Sequence, residues 1–219
     1  MASSGFELLW QAAPLLARGA VQTLLISAWS ILFATLGGVF YGVASSLGLG
    51  WLNALLRVYL ELFRAIPVLV WLYLFFFGLP ILFGVDIPSV SCAVLVLSLW
   101  AASEIGEVVR GALRSLPAGQ REAGLAIGLS AVGLYRHVLL PQALKRLTAP
   151  TINVYTRIIK TSSLAVLIGV VEVIKVGQQI VERTYESLLV YGFLCLFFFL
   201  ICYPLSAASR MLEKRWSTA

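Results

Sequence analysis

The sequence predicts an all-α integral membrane protein of about five transmembrane helices, and three observations predict it. Sixty per cent of the residues are hydrophobic and 12% are charged, too little charge to clothe a water-soluble domain of this length. The mean hydropathy is +0.95, and several apolar stretches reach the roughly 20 residues that a bilayer crossing needs. Strand-like alternation in segments of about ten residues does not recur, which argues against a lipid-facing barrel.

The first span is expected over residues 21–47. Within it Ser30, Ala34, Gly38, Gly42 and Ser46 recur every four residues, a flat face that lets another backbone approach closely. The second is expected over 55–83 with Pro67 inside, where a lost hydrogen bond kinks or breaks a helix. GLPILFGVDIP, residues 78–88, reads as an outer turn. The third span is expected over 89–109, the fourth over 147–171 and the fifth over 188–208. The N-terminus MASSGFELLW has no basic region ahead of its apolar residues, so no removable signal peptide is expected. Cys92, Cys195 and Cys202 lie in apolar stretches without metal-ligand spacing, which assigns them to packing.

Orientation follows from charge. The formal net charge is +6, and Arg110, Arg114, Arg121, Arg136, Lys145 and Arg146 face a single acid, Glu122, between residues 110 and 146. Short loops rich in Lys and Arg stay cytoplasmic, so topogenesis explains the basicity without nucleic acid. The tail residues Arg210, Lys214 and Arg215 belong on the same side. Between the fourth and fifth spans Glu172, Lys175, Glu182, Arg183 and Glu186 nearly cancel, as an outer loop allows. Five spans then place the N-terminus outside and the C-terminus inside.

The basic segment reads as two short cytosolic helices. Ser115 is placed to cap the first, with Pro117 in its first turn and an end near Gly128. Ser130 is placed to cap the second, which is expected to stop before Pro141. Ala123, Gly124, Ala126 and Gly128 would let the first helix sit deep in a partner's groove. The alternative is an amphipathic pair lying on the membrane surface.

EAGLAIGLSAVGLYRHVLLP, from Glu122 to Pro141, resembles the EAA loop of permease subunits in bacterial ABC importers. Glu122, Ala123, Gly128, Leu140 and Pro141 match its pattern, whereas Gly124 stands where alanine is usual. YLELFRAIPVLV (59–70), EVVRGALRSLPAGQ (107–120), LLPQAL (139–144) and IIKTSSLAVLIGVVEV (158–173) resemble polar amino-acid permeases, in the family's order. The resemblance implies one type I ABC importer transmembrane domain over residues 1–219, with a coupling segment at 115–141. Its ATPase-coupling residues are then Glu122, Ala123, Gly124, Gly128 and Pro141. It further implies a bacterial inner-membrane location, separate ATP-binding subunits, a second permease subunit (identical or paralogous) and an extracytoplasmic amino-acid-binding protein. The chain has no GxxxxGK[ST] phosphate loop, so no cofactor is expected in it, and ATP and Mg belong to the partner ATPase. The family mechanism is alternating access in a dimer.

Charges deep in a bilayer cost about 2.5 to 3.5 kcal/mol on insertion scales and mark functional candidates. Lys160 lies about 21 Å beyond Arg146 at helical rise, one turn from Arg157. The two cations read as a wall for a substrate carboxylate, flanked by Thr161 and Ser163, or as partners of a structural ion pair with Glu104. Glu104 reads as a receiver for a substrate ammonium, and Arg64, three residues before Pro67, as a further cavity-lining candidate. Glu107 is expected to pair with Arg110 at i,i+3, Arg57 with Glu61, and His137 to sit on a helix surface. Family members often carry Lys-Asp-Thr-Ser-Leu where this chain has Lys160, Thr161, Ser162, Ser163 and Leu164. The missing aspartate, with two deep cations, points to an acidic or neutral polar amino acid. The competing classes are an ion-coupled secondary transporter, for which no internal repeat is found, and a non-transporting membrane scaffold, which leaves Arg157 and Lys160 unexplained. A lone histidine without HExxH or G-x-S-x-G leaves little machinery for an intramembrane hydrolase.

Overall fold

The computed structural model describes residues 5–46 and 50–217, and among them all regular structure is helical. Helix α1, Gly5–Ala44, has 40 residues with Pro14 inside, about 60 Å at helical rise. It therefore starts well upstream of the expected first span. The extra turns are held by tertiary contact. Ala12 and Leu16 pack with Val176 and Ile180 of α9 (Val173–Thr184) and Val190 of α10 (Ser187–Ser217). The expected end at Leu47 and the first four residues of the signal-peptide reading lie outside the described residues.

The second expected span is not one kinked helix. Helix α2 (Gly50–Ala65) meets α3 (Val68–Tyr73), a π-helical turn (Leu74–Gly78) and α4 (Leu79–Phe83) at 103°. Pro67 adopts φ −56° and ψ 141°, ends the ladder of α2 and restarts the chain in a new direction. Helix α5 (Ser89–Arg114) follows and forms the core of the fold. Its Ile105 and Val109 are buried with Ala34 of α1 and with Val154 and Ile158 of α8 (Leu140–Thr161).

The small-residue face of α1 lies on α5, and its glycines are required there. A Cβ on Gly38 would stand 2.6 Å from Ile105, and one on Gly42 2.4 Å from Val109. The reciprocal position is Gly106, which receives the ring of Tyr41.

After α5 come α6 (Ala118–Ala126), α7 (Ala131–Leu134), a π-helical turn (Tyr135–Leu139) and α8 (Leu140–Thr161). The second cytosolic helix does not stop before Pro141. It runs through the π turn into α8, whose first turn holds Pro141 and whose interior holds Pro150. A proline is tolerated in that first turn, where its missing N–H has little to lose, and the wider turn before it absorbs the ring. The helix that carries the expected fourth span accordingly begins about seven residues before the span's expected start. Beyond Thr161 a 3₁₀ segment (Ser162–Ile168) ends at Gly169, and α9 turns away by 55°. Among the described residues, three helices are long and apolar enough to cross a membrane, and each bent pair taken as one span raises the number to five.

Candidate functional site

The deep charges meet where α8 crosses α5. Arg157 Nη2 donates to Glu104 Oε2 at 2.7 Å, and its guanidinium carbon lies 5.8 Å from the Trp100 ring centroid. The Glu104 side chain is 21% exposed and that of Arg157 49%, so the pair stands at the edge of an open face. Asn153, Arg157 and Lys160 follow at helical spacing along α8, and all three are exposed. Lys160 has no carboxylate within ion-pair distance among the described residues. A cation exposed on a helix that reads as membrane-spanning is unsuited to lipid and suited to a watered cavity or a partner.

Thr161 and Ser163 stand half-buried beside Lys160. The Ser163 hydroxyl donates to the Lys160 carbonyl at 2.7 Å, which leaves its lone pairs as acceptors. The tightening of α8 into the 3₁₀ segment directly after Lys160, closed by Gly169 at φ +85°, gives this stretch a backbone unlike the helix on either side.

Arg64 does not join this group. Its Nη2 lies 3.9 Å from Glu107 Oε2, in a second cluster about one turn further along α5, towards its C-terminal end. There Arg110 donates to Glu107 through Nε at 2.6 Å and Nη2 at 2.5 Å, the i,i+3 pair expected, and Tyr41 donates from α1 at 3.5 Å. The 103° bend carries α2 towards that end, which no local pattern in the sequence announces. The expected Arg57–Glu61 pair is not formed, although both line the same small cavity.

Glu172 is the polar residue that sequence reasoning missed. Charge pattern places it in a solvated outer loop, yet it is 0% exposed. Its carboxylate caps α9, accepting from the Lys175 N–H at 3.0 Å and from the Thr23 hydroxyl of α1 at 3.1 Å. Thr23 Oγ1 in turn accepts from the Val173 N–H at 3.2 Å. Ser27 continues the thread, donating to the Thr23 carbonyl at 2.8 Å and to Ser162 Oγ at 3.3 Å. Glutamate is not among the preferred N-cap residues, so the signal in the sequence was weak.

Residues 115–141 are built as a helix, a tight stop and a second helix. Gly128 has φ +83°. Its N–H bonds the Leu125 carbonyl at 3.0 Å, and the Leu129 N–H bonds the Gly124 carbonyl at 3.1 Å. This pair of bonds is a Schellman stop, and glycine suits its left-handed residue. A Cβ on Gly124 would stand 2.4 Å from Leu134 Cδ1, the far end of a flexible side chain. Ser130 accepts from the Gly133 N–H at 3.1 Å and caps the second helix as expected. Ser115 does not cap α6. It ends α5, donates to the Ala112 carbonyl and accepts from Arg146 at 2.8 Å. Glu122 and Ala123 are exposed, and Ile127 and Val132 expose 78% and 76% of their surface. An exposed apolar patch of this kind suits contact with a partner. His137 lies exposed nearby with Nδ1 3.0 Å from the Gly133 carbonyl, a helix-surface role.

The family model described as "Binding-protein-dependent transport system inner membrane component" matches residues 34–218. The glutamine transport system permease protein GlnP of Escherichia coli K12 is 36% identical over 209 residues, covering 94% of this chain and 95% of its own. The L-cystine transport system permease protein TcyL of Bacillus subtilis 168 is 32% identical over 199 residues, covering 88% and 83%. A crystal structure of an amino acid ABC transporter with histidines superposes with a TM-score of 0.88. At 24% identity, covering 98% of this chain and 100% of that one, it is a likeness of fold. An inward-facing structure of the MetNI methionine ABC transporter superposes with a TM-score of 0.74 at 25% identity, covering 91% and 95%.

Proposed function

The chain belongs to the family of binding-protein-dependent transport system inner membrane components, and from that premise we propose that it is the permease subunit of an ATP-driven amino-acid importer. Its place is the bacterial inner membrane, with residues 110–146 in the cytosol, the N-terminus outside and the C-terminus inside. The observation that carries the reading is the coupling segment. A short helix ended by a Schellman stop exposes Glu122, Ala123 and a run of apolar side chains on one small knob. Such a knob fits a groove on a separate ATPase, which would hold the ATP and Mg. The lines of support for an amino-acid cargo are the glutamine and cystine permeases among the relatives and the charged face of α8.

The substrate path is assigned to that face, closed by a second permease subunit, identical or paralogous. Lys160, the cation without a carboxylate, receives the substrate's carboxylate. Arg157 engages only Oε2 of Glu104, which leaves Oε1 to accept from the α-ammonium, while Thr161 and Ser163 face the side chain. The cargo is an acidic or neutral polar amino acid, because Arg157 already supplies the guanidinium that a cationic side chain would bring. A receptor delivers the amino acid from outside, and ATP-driven closure of the ATPases alternates the cavity between the two sides.

Purification under mild detergent tests the assignment. The chain is expected to co-purify with an ATPase carrying a phosphate loop, and a receptor loaded with amino acid should stimulate hydrolysis. A stable chain that transports alone sinks the reading. Single cysteines at Ala118 and Glu182, in a background without Cys92, Cys195 and Cys202, test the orientation. An impermeant thiol reagent on intact cells should label the second and spare the first, and the reverse pattern inverts the topology.

A further inference from the structure

A large apolar groove runs between α1, α2 and α5, on the side of α5 away from Glu104. It encloses about 890 Å³ and is walled by Trp29, Phe33, Phe40, Val94, Leu95 and Leu99, among others. Its lining extends from residue 90 to residue 102 of α5, about 18 Å at helical rise. That is close to the half-thickness of a hydrocarbon core of about 30 Å.

At one end the groove meets the small cavity of about 190 Å³ around Glu107, and Tyr41 and Leu56 line both. That cavity is basic: four arginines, Arg57, Arg64, Arg110 and Arg114, face two glutamates, Glu61 and Glu107. Arg110 is fully engaged with Glu107, and Arg64 leans on the same carboxylate. Arg57 and Arg114 have no carboxylate within ion-pair distance among the described residues. On the same wall the Asn53 amide oxygen is buried without a hydrogen-bond partner. Rotating that amide, an assignment that rests on its surroundings, turns its NH₂ group to an acceptor.

We propose that this continuous pair, basic cavity and apolar groove, is a binding site for an anionic phospholipid. The headgroup phosphate lies against Arg57 and Arg114, and an acyl chain lies in the groove between α1 and α5. Charge complementarity selects this occupant. Basic pockets between transmembrane helices on the cytoplasmic side hold anionic headgroups, and guanidinium groups match phosphate geometry. A second copy of the chain would fill the apolar part and leave the arginines unanswered.

The test uses the purified complex in neutral detergent, so its outcome does not depend on which side of the membrane the cavity faces. The probe is phosphatidylglycerol with a diazirine in one acyl chain, compared with the matching phosphatidylcholine. Phosphatidylglycerol is expected to label groove peptides around Phe33 and Leu95 at least tenfold more than phosphatidylcholine. Arg57→Gln with Arg114→Gln should reduce that labelling to the phosphatidylcholine level, and Val94→Trp should remove it from the groove without touching a charge. Equal labelling by the two wild-type probes overturns the proposal, and that comparison needs no variant to fold. So does labelling that survives the double arginine substitution. Loss of labelling in millimolar inorganic phosphate alone would reassign the cavity to a free anion, and a cross-link from the groove to a second copy would reassign the groove to a subunit interface.

Discussion

The two sides of α5 are built on opposite principles. Towards α1, Ala102, Ile105 and Val109 meet glycines so closely that no Cβ fits at Gly38 or Gly42. Towards α8, one turn away, Trp100 and Glu104 carry a half-exposed arginine, and Lys160 beyond it has no carboxylate within ion-pair distance among the described residues. The first side is a close-packed apolar seam; the second carries exposed charges, of which Arg157 is paired with Glu104. A subunit that must move a cargo needs both. Packed cores are stiff and bistable, not continuously deformable, so the seam fixes α5 while the charged side is free to respond.

The largest expected effect comes from breaking the seam. Gly42→Leu drives a Cβ to 2.4 Å from the Val109 Cβ, where a rotamer change gives no relief. Overpacking of this kind costs about 1–3 kcal/mol or more. The yield of monodisperse protein and its melting temperature should fall sharply, and Val109→Gly, which removes that Cβ, should restore part of both. A Gly42→Leu protein that melts with the wild type would show that the seam is not sealed. On the open side, Lys160→Met should leave assembly and melting near normal and reduce uptake in proteoliposomes at least tenfold, since losing one partner of a desolvated charged contact costs about 2–5 kcal/mol.

Glu104 separates binding from support. Because the pair with Arg157 is partly exposed, Glu104→Gln should cost only about 1 kcal/mol of stability while impairing uptake severely. Adding Arg157→Gln should return the stability and leave uptake impaired. If uptake returns with stability, Glu104 serves the arginine and not the cargo. The smallest effects belong to the coupling segment, and two neighbouring glycines should differ there. Gly128→Ala must hold a left-handed residue, at about 1–2 kcal/mol, and should lower receptor-stimulated ATP hydrolysis several-fold. Gly124→Ala meets only the far end of the Leu134 side chain, which can turn aside, so hydrolysis should change less than twofold. Equal losses at both would show that helix bulk, and not the stop, governs docking.

Much of this was legible from local pattern. The four-residue spacing of small residues on α1 announced a close helix contact, because helical periodicity alone brings those positions onto one face. Glu107 with Arg110 and Ser130 with Gly133 were legible for the same reason, since their partners lie three residues away. Arg64 and Glu172 were not. Their partners lie 43 and 149 residues away in sequence, and only a bend at Pro67 and the long reach of α1 bring them together.

The amino-acid sequence by itself determined the solvent of this protein, its helical class, the basic segment between residues 110 and 146 and the residues on each helix face. These follow from composition, charge and period, which need no neighbour. Tertiary structure alone decided that α1 extends to meet α9, that Pro67 turns the chain through 103° while Pro141 passes inside a helix, and that Arg157 takes one oxygen of Glu104 and leaves Lys160 open. Each of those outcomes depends on which distant helix fills the space beside a residue, and a burial or an ion pair has no energy until that helix is in place.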